Sequence, residues 1–149
     1  MIVMMTCFKY AEGKKRPQKQ YDDLAARMQK EMIDPGYITF FCGPLSWIGP
    51  ARGGEQWDEV VVYGHPDVEG LRQWILWDAH IAVDEIMSQE KSLKGVMPIQ
   101  LTDNDDPHLI DKIAEMFNEG SRDRASRGMM LDFSAVRLGP EYALFKQNA

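Results

Sequence analysis

Apolar residues fall along this chain in two periodicities, and the switches between them mark its elements. Residues 2–9 are mostly apolar, with β-branched and aromatic members, and predict a first strand. After a polar, lysine-rich link, Tyr21, Leu24, Ala25, Met28 and Met32 recur at helical spacing and predict a helix over 18–33, ended by Pro35-Gly36. Residues 37–42 predict a second strand. Residues 43–54 hold four glycines and two prolines together with Trp47 and Ile48, an irregular or hairpin-like loop too apolar to stand in water. A β-branched third strand over 58–64 follows. Asp67 then caps a second helix with Leu71, Trp74 and Ile75 on one face, and residues 81–90 are also in helical phase. Gly95 opens a fourth strand over 96–101, in which Pro98 predicts an edge or a bulge. Asp106 and Pro107 start a further helix carrying Leu109, Ile113, Met116 and Phe117, and Gly120 is expected to stop it. Residues 121–128 read as a polar link, and 129–138 as one more strand.

The core order is βαββαβ, so the expected fold is α+β and ferredoxin-like. Residues 1–104 form that domain, and 105–149 are expected as a helix-and-strand extension packed on it. Helices cover one face of such a sheet. Apolar residues on both sides of Val60-Val61-Val62-Tyr63 predict that the other face is buried too. Pairing of two sheets into a barrel achieves this, which predicts a symmetric homodimer.

A length of 149 residues suits one domain with a proper core. The net charge of −6 argues against nucleic acid and against an anionic membrane surface as partners. The apolar start lacks a basic leader and reads as a strand, and no run approaches a membrane span. Cys7 and Cys42 sit in strand-like runs without disulfide or zinc spacing, which predicts reduced thiols in a cytoplasmic protein. Asp103-Asn104-Asp105-Asp106 lacks the glycine and distal glutamate of a calcium loop and reads as a turn and helix cap. No nucleotide-binding fingerprint or nucleophile elbow occurs. The expectation is no metal and no cofactor.

Two stretches carry a family resemblance. One is Gly43-Pro44-Leu45, Ile48-Gly49-Pro50, Trp57-Asp58-Glu59-Val60 and His65-Pro66; the other is Ile75-Leu76-Trp77-Asp78-Ala79-His80-Ile81-Ala82-Val83. With the element order, they make residues 2–101 resemble the dimeric α+β barrel superfamily. The first is similar to a poorly characterised bacterial branch. The second is similar to the stress-responsive branch that includes the olivetolic acid cyclase. The resemblance implies a general-base role for His80. The assisting tyrosine of that cyclase falls on Trp74, which relays no proton, and the first histidine and the proline of its motif fall on Trp77 and Asp78.

His80 is accordingly the first candidate, since a neutral imidazole takes up protons near neutral pH. Asp78, two residues before it, or Asp84, one turn after it, would orient the ring. Tyr63 and His65 share a strand face, and Tyr63 there offers a hydrogen bond to a developing oxyanion. Glu59 has the same parity and needs a partner if it points inward. Tyr10, Trp47, Trp57, Trp74 and Trp77 are candidate pocket lining for a planar ligand, and Arg52 a candidate clamp for a carboxylate or phenolate. The catalytic set is therefore His80, Tyr63 and Asp78. The expected function is a cofactor-independent cyclase, isomerase or lyase acting on an apolar, aromatic or polyketide-like small molecule. A non-catalytic ligand-binding or stress-response barrel, and a cofactor-free monooxygenase, are the alternatives.

Overall fold

The computed structural model describes residues 1–47 and 57–128, and the backbone of 137–138. Strand β1 (Ile2–Tyr10) leads into α1 (Gln18–Met28), which continues as a π-helical turn over Gln29–Ile33. Then come β2 (Phe40–Ser46), β3 (Glu59–His65), α2 (Val68–Leu76), α3 (Asp78–Gln89), β4 (Leu93–Thr102), α4 (Leu109–Ser126) and β5 (Arg137–Leu138). The strands lie side by side as β2-β3-β1-β4-β5. β1 pairs antiparallel with β3 and β4, and β2 antiparallel with β3. β5 runs parallel to β4 at Gly95 and Val96. The βαββαβ unit from β1 to β4 is ferredoxin-like, as the periodicities predict.

Asp67 caps α2: its backbone is extended, and its carboxylate accepts the Gly70 amide at 2.9 Å. An extended residue at Trp77 (φ −70°, ψ 127°) breaks the chain between α2 and α3. Pro98 faces Thr6 of β1 and lies outside the short stretch of β4 that pairs with β5. That placement suits a residue with no N–H to give to a ladder.

Two expectations about the extension change. Gly120 does not stop α4, and residues 121–126 are helical rather than a link. Gly120 sits inside the helix because α4 crosses close to α2: a Cβ there would stand 2.3 Å from Ile75 Cγ2. Of the strand expected over 129–138, Arg137–Leu138 is observed as β5, and the remainder lies outside the described residues.

Register assigns the two sheet faces. Ile2, Met4 and Phe8 of β1, Phe41 of β2 and Val61 and Tyr63 of β3 turn toward the helices and join the main core with Leu24, Leu71, Trp74, Val83 and Ile113. Met5, Cys7, Val60, Val62 and Met97 turn the other way, where Trp47 and Trp57 pack with them. Val3, Ile99 and Leu101 continue that outer face, and Leu101 is 52% exposed. No described helix is long and apolar enough to cross a membrane.

Candidate functional site

Between the helix-facing side of the sheet and the helices lies a cavity of about 810 Å³. Its walls include Met4, Thr6 and Phe8 of β1, Phe41, Val61 and Tyr63, Tyr21 of α1, Trp74, and Val96 and Pro98 of β4. His80 and Asp84 of α3 and Ser121 and Arg124 of α4 supply polar groups to the same space. That size falls within the range of roughly 300–1,000 Å³ usual for small-molecule sites.

The break at Trp77 places His80. A helix leaves its last carbonyls without partners, and His80, in the first turn of α3, reaches back to the end of α2. Its Nδ1 donates to the Trp74 carbonyl at 3.1 Å. The ring stacks on the Trp74 indole, with centroids 4.4 Å apart and planes 23° apart. With the proton on Nδ1, Nε2 carries the lone pair. Nε2 lies 3.7 Å from Asp84 Oδ1. Burial pushes the His80 imidazole below the ordinary histidine value; Asp84 pulls upward, and Arg124 adds to the downward shift. The ring is thus neutral, with a basic nitrogen beside a carboxylate.

That carboxylate is held from the other side. Arg124 Nη2 donates to Asp84 Oδ2 at 2.7 Å, and Nη1 donates to the carbonyls of Ile75 and Gly120 at 3.1 and 3.3 Å. Arg124 is 6% exposed. Sequence reasoning missed it because Gly120 read as a helix end. The signal was present: from Ile113, Met116 and Gly120, the next step of the stripe is Arg124.

Tyr63 also reaches the cavity. Its ring packs 4.9 Å from Trp74 and 6.0 Å from Phe41. Burial pushes its phenol up to about 12, against an opposing pull from the Thr6 and Trp74 side chains, so it remains an O–H donor at neutral pH.

The other candidates disperse. Asp78 does not meet His80; its Oδ1 accepts from Arg27 Nη2 at 2.6 Å, and that bond holds the carboxyl below its usual range. His65 is fully enclosed behind Tyr63, with Nδ1 donating to the Tyr37 carbonyl at 2.8 Å, and does not line the cavity. Trp77 faces the π-helical turn after α1, where its Nε1 donates to Glu31 Oε2 at 2.8 Å. Trp47 and Trp57 pack on the outer sheet face, away from the cavity. Tyr10 and Glu59 pair with each other at 2.9 Å, and Arg16 Nη1 donates to Glu59 at 2.6 Å, which supplies the partner an inward glutamate needs. Neither Tyr10 nor Glu59 lines the cavity. Arg52 lies outside the described residues.

The acidic run before α4 builds turns, but not the expected cap: α4 starts at Leu109 after His108, with no side-chain cap at its N-terminus. Asp103 pairs with the N-terminal amine, Asn104 accepts the Asp106 amide, and Asp106 accepts the His108 amide. Among the described residues, no group of three His, Cys, Asp or Glu side chains is placed to hold a metal.

No family model and no curated protein sequence matches this chain. Solved structures do. A dimeric ferredoxin-like protein of unknown function from a Jannaschia species is 10% identical, with a TM-score of 0.50, and the match covers 68% of this chain and 97% of that one. A dimeric ferredoxin-like protein of unknown function from Thermobifida fusca is 19% identical, with a TM-score of 0.48, over 68% of this chain and 89% of that one. A dabb family protein with a ferredoxin-like fold from Mesorhizobium loti is 12% identical, with a TM-score of 0.45, over 69% and 96%. At such identities the likeness is one of fold.

Proposed function

We propose that this protein is a cofactor-independent enzyme that uses His80 as general base on an apolar, aromatic or polyketide-like carbonyl compound. One observation carries the reading: a neutral imidazole with Nδ1 engaged by the Trp74 carbonyl lines an apolar cavity with Asp84 beside its Nε2. Nε2 takes a proton from a carbon next to a carbonyl. The imidazolium so formed keeps its Nδ1 hydrogen bond to the Trp74 carbonyl, at the negative end of α2. Tyr63 donates a hydrogen bond to the enolate oxygen. Return of the proton to another carbon is isomerisation. Attack of the enolate on a second carbonyl of the same molecule is cyclisation, and expulsion of a β-substituent is a lyase reaction.

The outer sheet face supports a homodimer. Its apolar residues suit a second sheet, and the Jannaschia protein of the same fold is described as dimeric. Among the described residues Cys7 and Cys42 form no disulfide, which suits a reducing, cytoplasmic setting.

The test uses a panel of aryl ketones and 1,3-diketones in deuterium oxide, with loss of the α-proton signal followed by NMR. The native protein is expected to accelerate exchange for at least one probe, and His80→Gln to lose about 10²–10⁴-fold of that acceleration. Undiminished exchange in the variant overturns the assignment of the base. Tight binding of a probe without any exchange favours a non-catalytic binding barrel.

A further inference from the structure

The end of α2 is where a neutral imidazole and a guanidinium converge. Its Trp74 carbonyl takes the His80 Nδ1 proton, and its Ile75 carbonyl takes an Arg124 proton. The two side chains then meet again at one carboxylate. Asp84 gives Oδ2 to Arg124 at 2.7 Å and presents Oδ1 to His80 Nε2 at 3.7 Å. Arg124 comes from α4, beyond the βαββαβ unit that contributes His80 and Asp84.

We propose that Arg124 is a positioning residue for His80: through Asp84 it fixes the imidazole and keeps it neutral, with Nε2 open to the cavity. This rests on the reading of His80 as the base. The reasoning is electrostatic. Asp84 alone, 3.7 Å away in a largely buried site, would draw a proton onto the ring. Shared with a buried guanidinium, its charge is spent on Arg124, and a second cation beside Arg124 is disfavoured. The other titratable groups toward the ring do not alter this balance. Tyr63 of β3 and Tyr21 of α1 are both raised by burial and stay protonated, and His65 of β3 is held neutral. Burial gives the downward direction, and Arg124 limits how far Asp84 can oppose it.

The test needs no substrate. His80 ring resonances, assigned with His80→Gln, are titrated in the native protein and in Arg124→Gln, Arg124→Lys and Asp84→Asn. In the native protein the neutral Nδ1–H tautomer is expected at pH 7. Finding the Nε2–H tautomer or a charged ring there overturns the general-base reading itself. In Arg124→Gln, His80 is expected to gain about tenfold or more in proton affinity, because an unshared carboxylate now faces it. Arg124→Lys is expected to restore part of the native behaviour. If Arg124→Gln does not fold, Asp84→Asn gives the converse reading: proton affinity is expected to fall below native. A folded Arg124→Gln, or a folded Asp84→Asn, with the native His80 titration overturns the proposal while leaving the base assignment standing.

Discussion

His65 and His80 lie on the same side of the sheet, yet they are asked for different things. His65 is enclosed, its Nδ1 donates to the Tyr37 carbonyl, and its Nε2 is buried without a partner. Protonation would place a charge and a new N–H where nothing accepts it, and burial accordingly pushes the imidazole down to about 4. The unfolded chain binds that proton near the ordinary value of about 6.5. The unfolded state therefore holds more protons between those values, and stability falls as pH falls through them. Urea unfolding is expected to give constant stability between about pH 7 and 9 and a loss of about 3 kcal/mol from His65 between pH 6.5 and 4. A flat profile over that range contradicts the enclosed, neutral ring. His80 was legible from its place at a helix boundary and from the family resemblance. The choice between Asp78 and Asp84 follows from helix geometry, since residues four apart share a face and residues two apart do not. Arg27, from a different element, then claims Asp78, and single-residue spacing carries no sign of that.

Element boundaries were legible wherever a cap or a switch of period marks them: Asp67 before α2, the strand pattern of β1, and the apolar run of β3. The sheet face taken by the loop tryptophans was not. Trp57 shares the parity of Glu59 and Val61, which turn inward, but it precedes β3, where alternation no longer applies, and it packs outward against Cys7 and Val60. In β2 a register shift between Cys42 and Leu45 hides the phase that carries Trp47 to the same side. The length of α4 was obscured by a glycine whose purpose is close packing rather than termination. Gly120→Ala should gain helix propensity of about 1 kcal/mol. It also drives a Cβ to within 2.3 Å of the branched Ile75 side chain. Overpacking of this kind costs about 1–3 kcal/mol, so a net loss of up to about 2 kcal/mol is expected in urea unfolding. Arg72 and Glu119 join the same two helices by a bidentate ion pair at the surface. Arg72→Ala should cost less than about 1 kcal/mol, because exposed pairs contribute little. If the ion pair proves the costlier loss, the α2–α4 contact is not held by the close approach at Gly120.

For the whole molecule, the sheet poses the remaining question. Its inner face is closed by helices. Its outer face carries Val3, Met5, Val62, Met97 and Ile99, and none of these is fully buried in the single chain. Leu45 and Leu101, at 46% and 52% exposure, extend the same apolar area toward its margins. Patches of this kind mark association surfaces, and a two-fold pairing of sheets makes one patch serve both subunits. Val62 lies near the middle, opposite Met5 on β1 and Cys42 on β2. Light scattering coupled to gel filtration is expected to give the native protein twice the chain mass of 17.1 kDa. Val62→Lys would set two like charges against each other across the two-fold axis in a dry interface, and is expected to give the single-chain mass. The substituted side chain points away from the cavity, so the His80 tautomer should survive in that monomer. A native protein of single-chain mass at micromolar concentration would show that the outer face is covered some other way. A variant that turns monomeric and also loses the His80 signature would show that the site depends on the pairing of the sheets.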